Sequence, residues 1–77
     1  MSELDRIRWQ CRRGMLELDL LLQRFNRTQL EGLDAAQLRA FQELLELSDN
    51  ELFDVAMGRM TPEGQNLMPI VAMLRSA

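Results

Sequence analysis

The ionisable residues of this sequence leave few routes to catalysis. The chain contains no His and no Lys, and its nine cations are all Arg. General acid–base and Schiff-base chemistry depend most often on those missing residue types. Glu17 and Asp19 are two residues apart, about 200° around a helix, so their carboxylates cannot converge on one substrate atom. These patterns indicate that the protein is not an enzyme.

The single cysteine offers neither a disulfide nor a metal site. Cys11 has no second cysteine to pair with, and without His there is no zinc or iron–sulfur ligand set. It follows Leu4 and Ile7 at helical spacing, which predicts a small buried hydrophobe rather than a reactive thiol. We therefore expect no bound metal and a reducing compartment.

Length and composition predict one soluble domain over residues 1–77. Hydrophobic residues make up 47% of the chain and charged residues 27%, the balance of a folded globular protein. The net charge of −3 argues against a domain that holds nucleic-acid phosphates. The opening Met1-Ser2-Glu3-Leu4-Asp5 lacks the features of a signal peptide, and the longest leucine run is three residues. We expect a cytoplasmic protein with no membrane span.

Charge is nevertheless uneven along the chain. Residues 1–30 carry a net charge of +2, whereas residues 31–77 carry −5. Trp9 falls on the side of the first predicted helix opposite Leu4 and Ile7, among arginines. A large aromatic among arginines has the composition of a binding hot spot. The alternative is that another helix or the following turn covers Trp9.

The residues after Trp9 also have two interpretations. Arg12 and Arg13 precede Gly14 and suit either a partner contact or a solvated helix end. Gly14 itself either admits a partner's backbone or only breaks the helix. Glu17 is either a contact residue or the N3 acid of the next helix, where it favours the dipole and the cap.

Capping patterns and apolar spacing predict five short helices and no strand. Ser2, Asp34 and Ser48 are the expected N-caps, and Gly58 is the expected C′ residue. Pro69 would be harmless in the first turn of a helix that starts at Asn66. The expected helices are 3–13, 15–30, 35–46, a fourth from Ser48 to Gly58, and a fifth from Asn66.

The second predicted helix is apolar on two sides. Its main stripe contains Met15, Leu18, Leu22 and Phe25, whereas Leu16 and Leu20 fall on another side. We therefore expect this helix to be central. The apolar positions of the third predicted helix are Leu38, Phe41, Leu44 and Leu45. Those of the fourth are Leu52, Phe53, Val55 and Ala56, and those of the fifth are Leu67, Ile70, Val71 and Leu74.

The run from Trp9 to Asp19, Trp-Gln-Cys-Arg-Arg-Gly-Met-Leu-Glu-Leu-Asp, resembles the signature of a known family. Arg13, Gly14 and Glu17 match the Arg-Gly-x-x-Glu hallmark of the succinate dehydrogenase flavinylation (assembly) factors. Length, helical pattern, acidic balance and the segment Asn50-Glu51-Leu52-Phe53 agree with that family. The resemblance covers nearly the whole chain and is strongest over residues 9–25.

The resemblance implies a five-helix bundle that works as a chaperone or assembly factor. Such a protein binds the flavoprotein subunit of succinate dehydrogenase, and often of fumarate reductase, and promotes covalent attachment of FAD to a histidine of that subunit. FAD then belongs to the partner, and the chain itself binds no cofactor stably. We also expect the chain to be a monomer. The expected partner-binding residues are Trp9, Arg12, Arg13, Gly14, Glu17 and Asp19.

Two other functions remain open from the sequence. The first is an antitoxin-like or cytoskeleton-associated regulator that acts by protein–protein contact, a role that has also been attached to relatives of this family. The second is a small helical nucleic-acid binder that uses the six arginines of the basic front, namely Arg6, Arg8, Arg12, Arg13, Arg24 and Arg27.

Overall fold

The fold consists of five α-helices joined by short turns. A computed structural model describes residues 2–76, and all secondary structure in that range is helical, which confirms the all-α prediction. Two single 3₁₀ turns, Leu30–Gly32 and Gln65–Leu67, precede the third and fifth helices. The α-helices are α1 (Glu3–Gln10), α2 (Leu16–Thr28), α3 (Ala35–Leu45), α4 (Asp49–Ala56) and α5 (Met68–Arg75).

The three predicted N-caps begin their helices. The side chains of Ser2, Asp34 and Ser48 each accept a hydrogen bond from the backbone N–H three residues further on. At α3 the two residues form a reciprocal capping box, because the Gln37 side chain also accepts a hydrogen bond from the Asp34 backbone N–H at 3.0 Å. These bonds satisfy N–H groups that a helix start leaves without partners.

Gly58 and Pro69 also take their predicted roles. Gly58 follows α4 with φ of 80°, a conformation that glycine adopts without a Cβ penalty. Pro69 lies in the first turn of α5, where its missing N–H breaks no helical bond. The helix begins at Met68, two residues after the expected start, because the preceding turn is 3₁₀.

The first two helices are shorter than predicted. Helix α1 ends at Gln10 and not at residue 13, because the Arg13 N–H bonds to the Asp19 carboxylate instead of continuing the helix. Helix α2 ends at Thr28, and the chain then tightens into the 3₁₀ turn at Leu30–Gly32. Both differences lie at helix ends, where apolar spacing carries little information.

One hydrophobic core joins all five helices. Phe25 of α2 and Phe41 of α3 are fully buried, with ring centroids 4.7 Å apart. Ile7 and Cys11 attach α1 and its C-cap to this core. The four apolar residues predicted for the last segment are all buried: Leu67, Ile70, Val71 and Leu74.

The expectation that α2 is central was based on its two apolar sides, and only one of them is covered. Leu18, Leu22 and Phe25 face the core, but Leu16 and Leu20 are exposed. A small domain has too few helices to cover two sides of each one. The second apolar side of α2 therefore lies on the surface.

Within residues 2–76, no helix combines the length and the apolar character that a membrane-spanning segment requires.

Candidate partner-binding surface

Trp9 is exposed at the end of α1. The residue retains 65% of its accessible area, so no helix or turn within residues 2–76 covers it and the alternative of a covered Trp9 was wrong. The Arg12 guanidinium lies over the indole, 5.5 Å from the ring centroid. Such a cation–π contact holds both side chains in place at the surface. An ordered aromatic–cation pair of this kind suits recognition of another protein.

A basic depression continues from this pair across α1 and α2. Arg8, Arg12 and Arg27 line it together with Gln23 and Asn26. Arg8 is partly neutralised by Glu31 at 3.3 Å and by Asp5 at 3.7 Å. The depression is therefore a local basic surface on a protein of net negative charge, and its arginines can bind an acidic group.

Arg13 faces away from this surface. Its side chain is only 13% exposed and reaches the junction between α3 and α4. One terminal nitrogen, Nη1, donates to the Leu47 carbonyl and to Asp49 Oδ1, each at 3.2 Å, while Nη2 donates to the Leu45 carbonyl. Carbonyls at a helix end and a carboxylate are strong acceptors for a guanidinium. Arg13 thus ties the α1–α2 connection to the α3–α4 turn.

Asp19 makes internal contacts as well. Its Oδ1 accepts the backbone N–H of Arg13 at 3.3 Å, and its Oδ2 accepts the Gln23 side-chain amide at 2.9 Å. The carboxylate therefore fixes the loop backbone just before Gly14. Arg13 and Asp19 together hold the connection between α1 and α2 from both sides.

Gly14 is exposed, and the fold does not require glycine there. Its φ is outside the left-handed region, where Gly58 and Gly64 lie. A Cβ at position 14 would come no closer than 3.9 Å to Asp49 Oδ2, an ordinary contact. The missing side chain leaves bare backbone at the surface, which another chain can approach closely.

Glu17 is exposed in the first turn of α2. Met15 is the N-cap of this helix, so Glu17 is at N2 and not at the N3 position expected from the sequence. Its carboxylate forms no hydrogen bond or ion pair within residues 2–76, and α2 has no side-chain cap. The helix dipole favours an acid here, but the local structure does not otherwise use it.

The six predicted contact residues therefore separate into two groups. Trp9, Arg12, Gly14 and Glu17 are exposed within nine consecutive residues, and we call these four the loop surface. Arg13 and Asp19 support that surface from below.

Exposed apolar residues next to the loop surface were missed by sequence reasoning. Leu16 and Leu20 of α2 and Met57, the C-cap residue of α4, are all exposed, and Leu20 lines a common groove with Met57. The signal was present in the two-sided apolar pattern of α2, but a central helix would show the same pattern.

The described residues include neither a cluster of metal-ligating side chains nor a buried charge. Residues 2–76 contain no group of three or more potential metal-ligating side chains, and no buried polar or charged residue. Burial raises the pKa of the Cys11 thiol, which makes it an inert core residue, as predicted.

The fold and the loop surface together define a small helical protein whose candidate contact residues are exposed at its surface. Comparison with known proteins agrees over nearly the whole chain. A family model described as Sdh5, flavinator of succinate dehydrogenase, matches residues 5–77.

Curated relatives carry the name FAD assembly factor SdhE. The Legionella pneumophila (strain Paris) protein is 46% identical over 74 residues, which cover 96% of this chain and 92% of that protein. The Pseudomonas aeruginosa protein is 44% identical over 73 residues, 95% and 87% of the two chains. The Coxiella burnetii protein is 42% identical over 66 residues, 86% and 80% of the two chains.

The chain belongs to this family of flavinators of succinate dehydrogenase. It is accordingly an assembly factor that serves FAD attachment to that enzyme. Both parts of the predicted resemblance, the helical fold and the family, are confirmed.

Proposed function

We propose that the protein binds the flavoprotein subunit of succinate dehydrogenase through the loop surface and so promotes covalent attachment of FAD to that subunit. The observation that carries this proposal is Gly14. Its bare backbone is exposed between Arg12 and Glu17, although the fold itself has room for a side chain there. A glycine that the isolated protein does not need is explained by close approach of a partner.

Each exposed residue of the loop surface has a distinct role in this contact. Trp9 inserts as the aromatic anchor, and Arg12, held against the indole, donates to an acidic group of the flavoprotein. Glu17 accepts from a basic group on the other side of Gly14. The partner's surface therefore presents an acid and a base that flank a segment of close backbone contact.

Arg13 and Asp19 affect binding of the partner only by holding the α1–α2 loop in position. Arg13 holds the loop on the α3–α4 junction, while Asp19 fixes the loop backbone. With both in place, Gly14 and Glu17 are presented at fixed points before the partner arrives. A preorganised loop lowers the ordering cost of binding.

Under this proposal the protein acts by contact and not by catalysis. The bond to FAD forms at the flavoprotein's own histidine, and the flavin belongs to the partner throughout. The assembly factor holds the flavoprotein in a conformation competent for that reaction. It works as a monomer in the cytoplasm, and a fumarate reductase flavoprotein subunit is a second partner of the same kind.

In-gel flavin fluorescence tests the proposal directly. Purified apo-flavoprotein subunit of succinate dehydrogenase is incubated with FAD, with and without the assembly factor, and the covalent flavin is read after denaturing electrophoresis. We expect a clear increase in the fluorescent band. An equal yield in both samples, together with no capture of the flavoprotein by the immobilised protein, would contradict the function.

A further inference from the structure

A second exposed area borders the loop surface on the opposite side from the basic depression. It consists of the apolar residues Leu16, Leu20, Leu21, Phe53 and Met57, which we call the α2–α4 patch. Leu20 retains 55% of its accessible area and Met57 retains 49%. Most large apolar side chains of small proteins are buried, so exposed ones that gather between two helices mark a contact surface.

The arrangement follows from helix geometry. Leu16 and Leu20 are one turn apart on the outer side of α2, and Phe53 and Met57 are one turn apart along α4. Because α2 and α4 pack together, Leu20 and Leu21 on one side and Phe53 and Met57 on the other form the walls of one shallow groove, and Leu16 extends the apolar surface of α2 beyond it. Leu21 and Phe53 are half-buried and connect the groove to the core.

The patch is continuous with the loop surface. Glu17 lines the same groove as Leu20 and Met57, so one residue belongs to both surfaces. Arg24 borders the groove one helical turn beyond Leu20. Within residues 2–76 neither Glu17 nor Arg24 has an ion-pair partner, which leaves two charges of opposite sign beside an apolar area.

We infer that the α2–α4 patch is a second contact area for the same flavoprotein subunit, an inference that rests on the proposed function. Helix α2 then forms a ridge at the centre of the interface, with the basic depression on its α1 side and the apolar groove on its α4 side. The flavoprotein surface that fits is apolar opposite Leu20 and Met57, with a cation facing Glu17 and an anion facing Arg24. The apolar part supplies affinity, and the charges set the orientation.

The test replaces apolar contact area without changing charge. In the double variant Leu20→Gln/Met57→Gln the new side chains are uncharged, flexible and compatible with a helix. Both positions are exposed, so the fold is retained. Met68→Gln is the matched control, because Met68 is an exposed methionine (37%) on α5 outside the patch. Thermal melts establish first that all three proteins fold alike.

Calorimetric titration then measures Kd for the purified apo-flavoprotein subunit at several salt concentrations. We expect the double variant to bind at least about ten-fold more weakly with an unchanged salt dependence, and Met68→Gln to bind as wild type does. Arg12→Gln, by contrast, should reduce the salt dependence itself.

Several outcomes separate this inference from the proposed function. If Glu17→Ala weakens binding while the double variant binds normally, the function stands and the patch lies outside the interface. If the wild type does not bind the flavoprotein at all, the proposed function fails first. If sedimentation shows a wild-type dimer that the double variant abolishes, a second copy occupies the patch and the inference is overturned.

Discussion

Arg13 Nη1 lies 3.2 Å from Asp49 Oδ1 and so connects the end of the α1 segment to the first residue of α4. The two residues are 36 positions apart in sequence, and both are partly shielded from solvent. A motif residue expected at the partner interface thus has a structural contact of its own.

Replacing Arg13 should destabilise the protein. Arg13→Ala removes a charged donor from the Leu45 and Leu47 carbonyls and from Asp49, and we expect a loss of about 2–3 kcal/mol in unfolding free energy. Urea unfolding measures it, with Arg12→Ala as the neighbouring control that should change stability by less than about 0.5 kcal/mol. Equal stability of the two variants would show that the Arg13 contacts are not used in solution.

Glu17→Ala should separate activity from stability. Because Glu17 contributes to the fold only through the helix dipole, the expected cost is about 0.5 kcal/mol. Covalent flavin incorporation should nevertheless fall severely, since loss of a charged contact across an interface costs about 2–5 kcal/mol of binding. Glu3→Ala, which removes an exposed first-turn acid from α1, is the control and should leave incorporation normal. A proportional loss in both variants would assign Glu17 a purely local role.

Gly14 gives a steric version of the same test. Gly14→Arg should fold, because φ is not positive and a Cβ has space, yet its long side chain should block docking and abolish assisted flavin attachment. Gly14→Ala is the graded companion, and we expect its melting temperature to stay near that of the wild type. Circular dichroism melts and in-gel fluorescence on the same samples decide the outcome. Normal attachment with folded Gly14→Arg protein would remove the loop surface from the mechanism.

Phe41 tests the core. Phe41→Ala removes a fully buried ring that packs on Phe25, so we expect a loss of about 3–5 kcal/mol, enough to unfold much of the population of so small a domain. Leu16→Ala removes an exposed side chain and should cost less than about 0.5 kcal/mol. Chemical unfolding compares the two. A loss below about 1 kcal/mol at Phe41 would be incompatible with its burial.

Cys11 should make the protein less stable at alkaline pH. Burial raises the pKa of its thiol, so the unfolded chain ionises first, at about pH 8.5, and stability declines as pH rises above that value. The chain has no Lys, Tyr or His, and Cys11 is therefore the only side chain that titrates between about pH 7 and 10. Melting temperatures across this range should fall for the wild type and stay nearly constant for Cys11→Ala. Parallel profiles would mean that the thiol is not buried in solution.

Much of the fold could be predicted from local chemistry. Ser2, Asp34 and Ser48 cap their helices because the bond partner is three residues away, and Gly58 and Pro69 act within one turn. Such short-range interactions can be read directly from spacing. The helix ends near residues 13 and 28 could not be located in this way, because contacts in the folded chain determine them.

The site was harder to predict for the same reason. Trp9 on α1 and Glu17 on α2 are each exposed because of the side of its own helix on which the residue lies, whereas the inward direction of Arg13 depends on acceptors more than thirty residues away. The two apolar sides of α2 were visible in sequence, but only the packed arrangement shows which one lacks a cover. Long-range contacts of this kind have no local signature.

The contacts of the Arg13 guanidinium have a consequence for local unfolding of the protein. Helix α1 and its C-cap are anchored by the apolar side chains of Leu4, Ile7 and Cys11, by the exposed Arg8–Glu31 ion pair and by this guanidinium. With so few anchors, α1 is suited to detach as a unit while the other four helices remain packed. Detachment would carry Trp9 away from Glu17 and dismantle the loop surface without global unfolding. A flavoprotein that contacts both Trp9 and Glu17 would bind only the form in which α1 is packed, and would therefore stabilise that form. Binding of the flavoprotein and local folding of α1 would then be coupled in a single equilibrium.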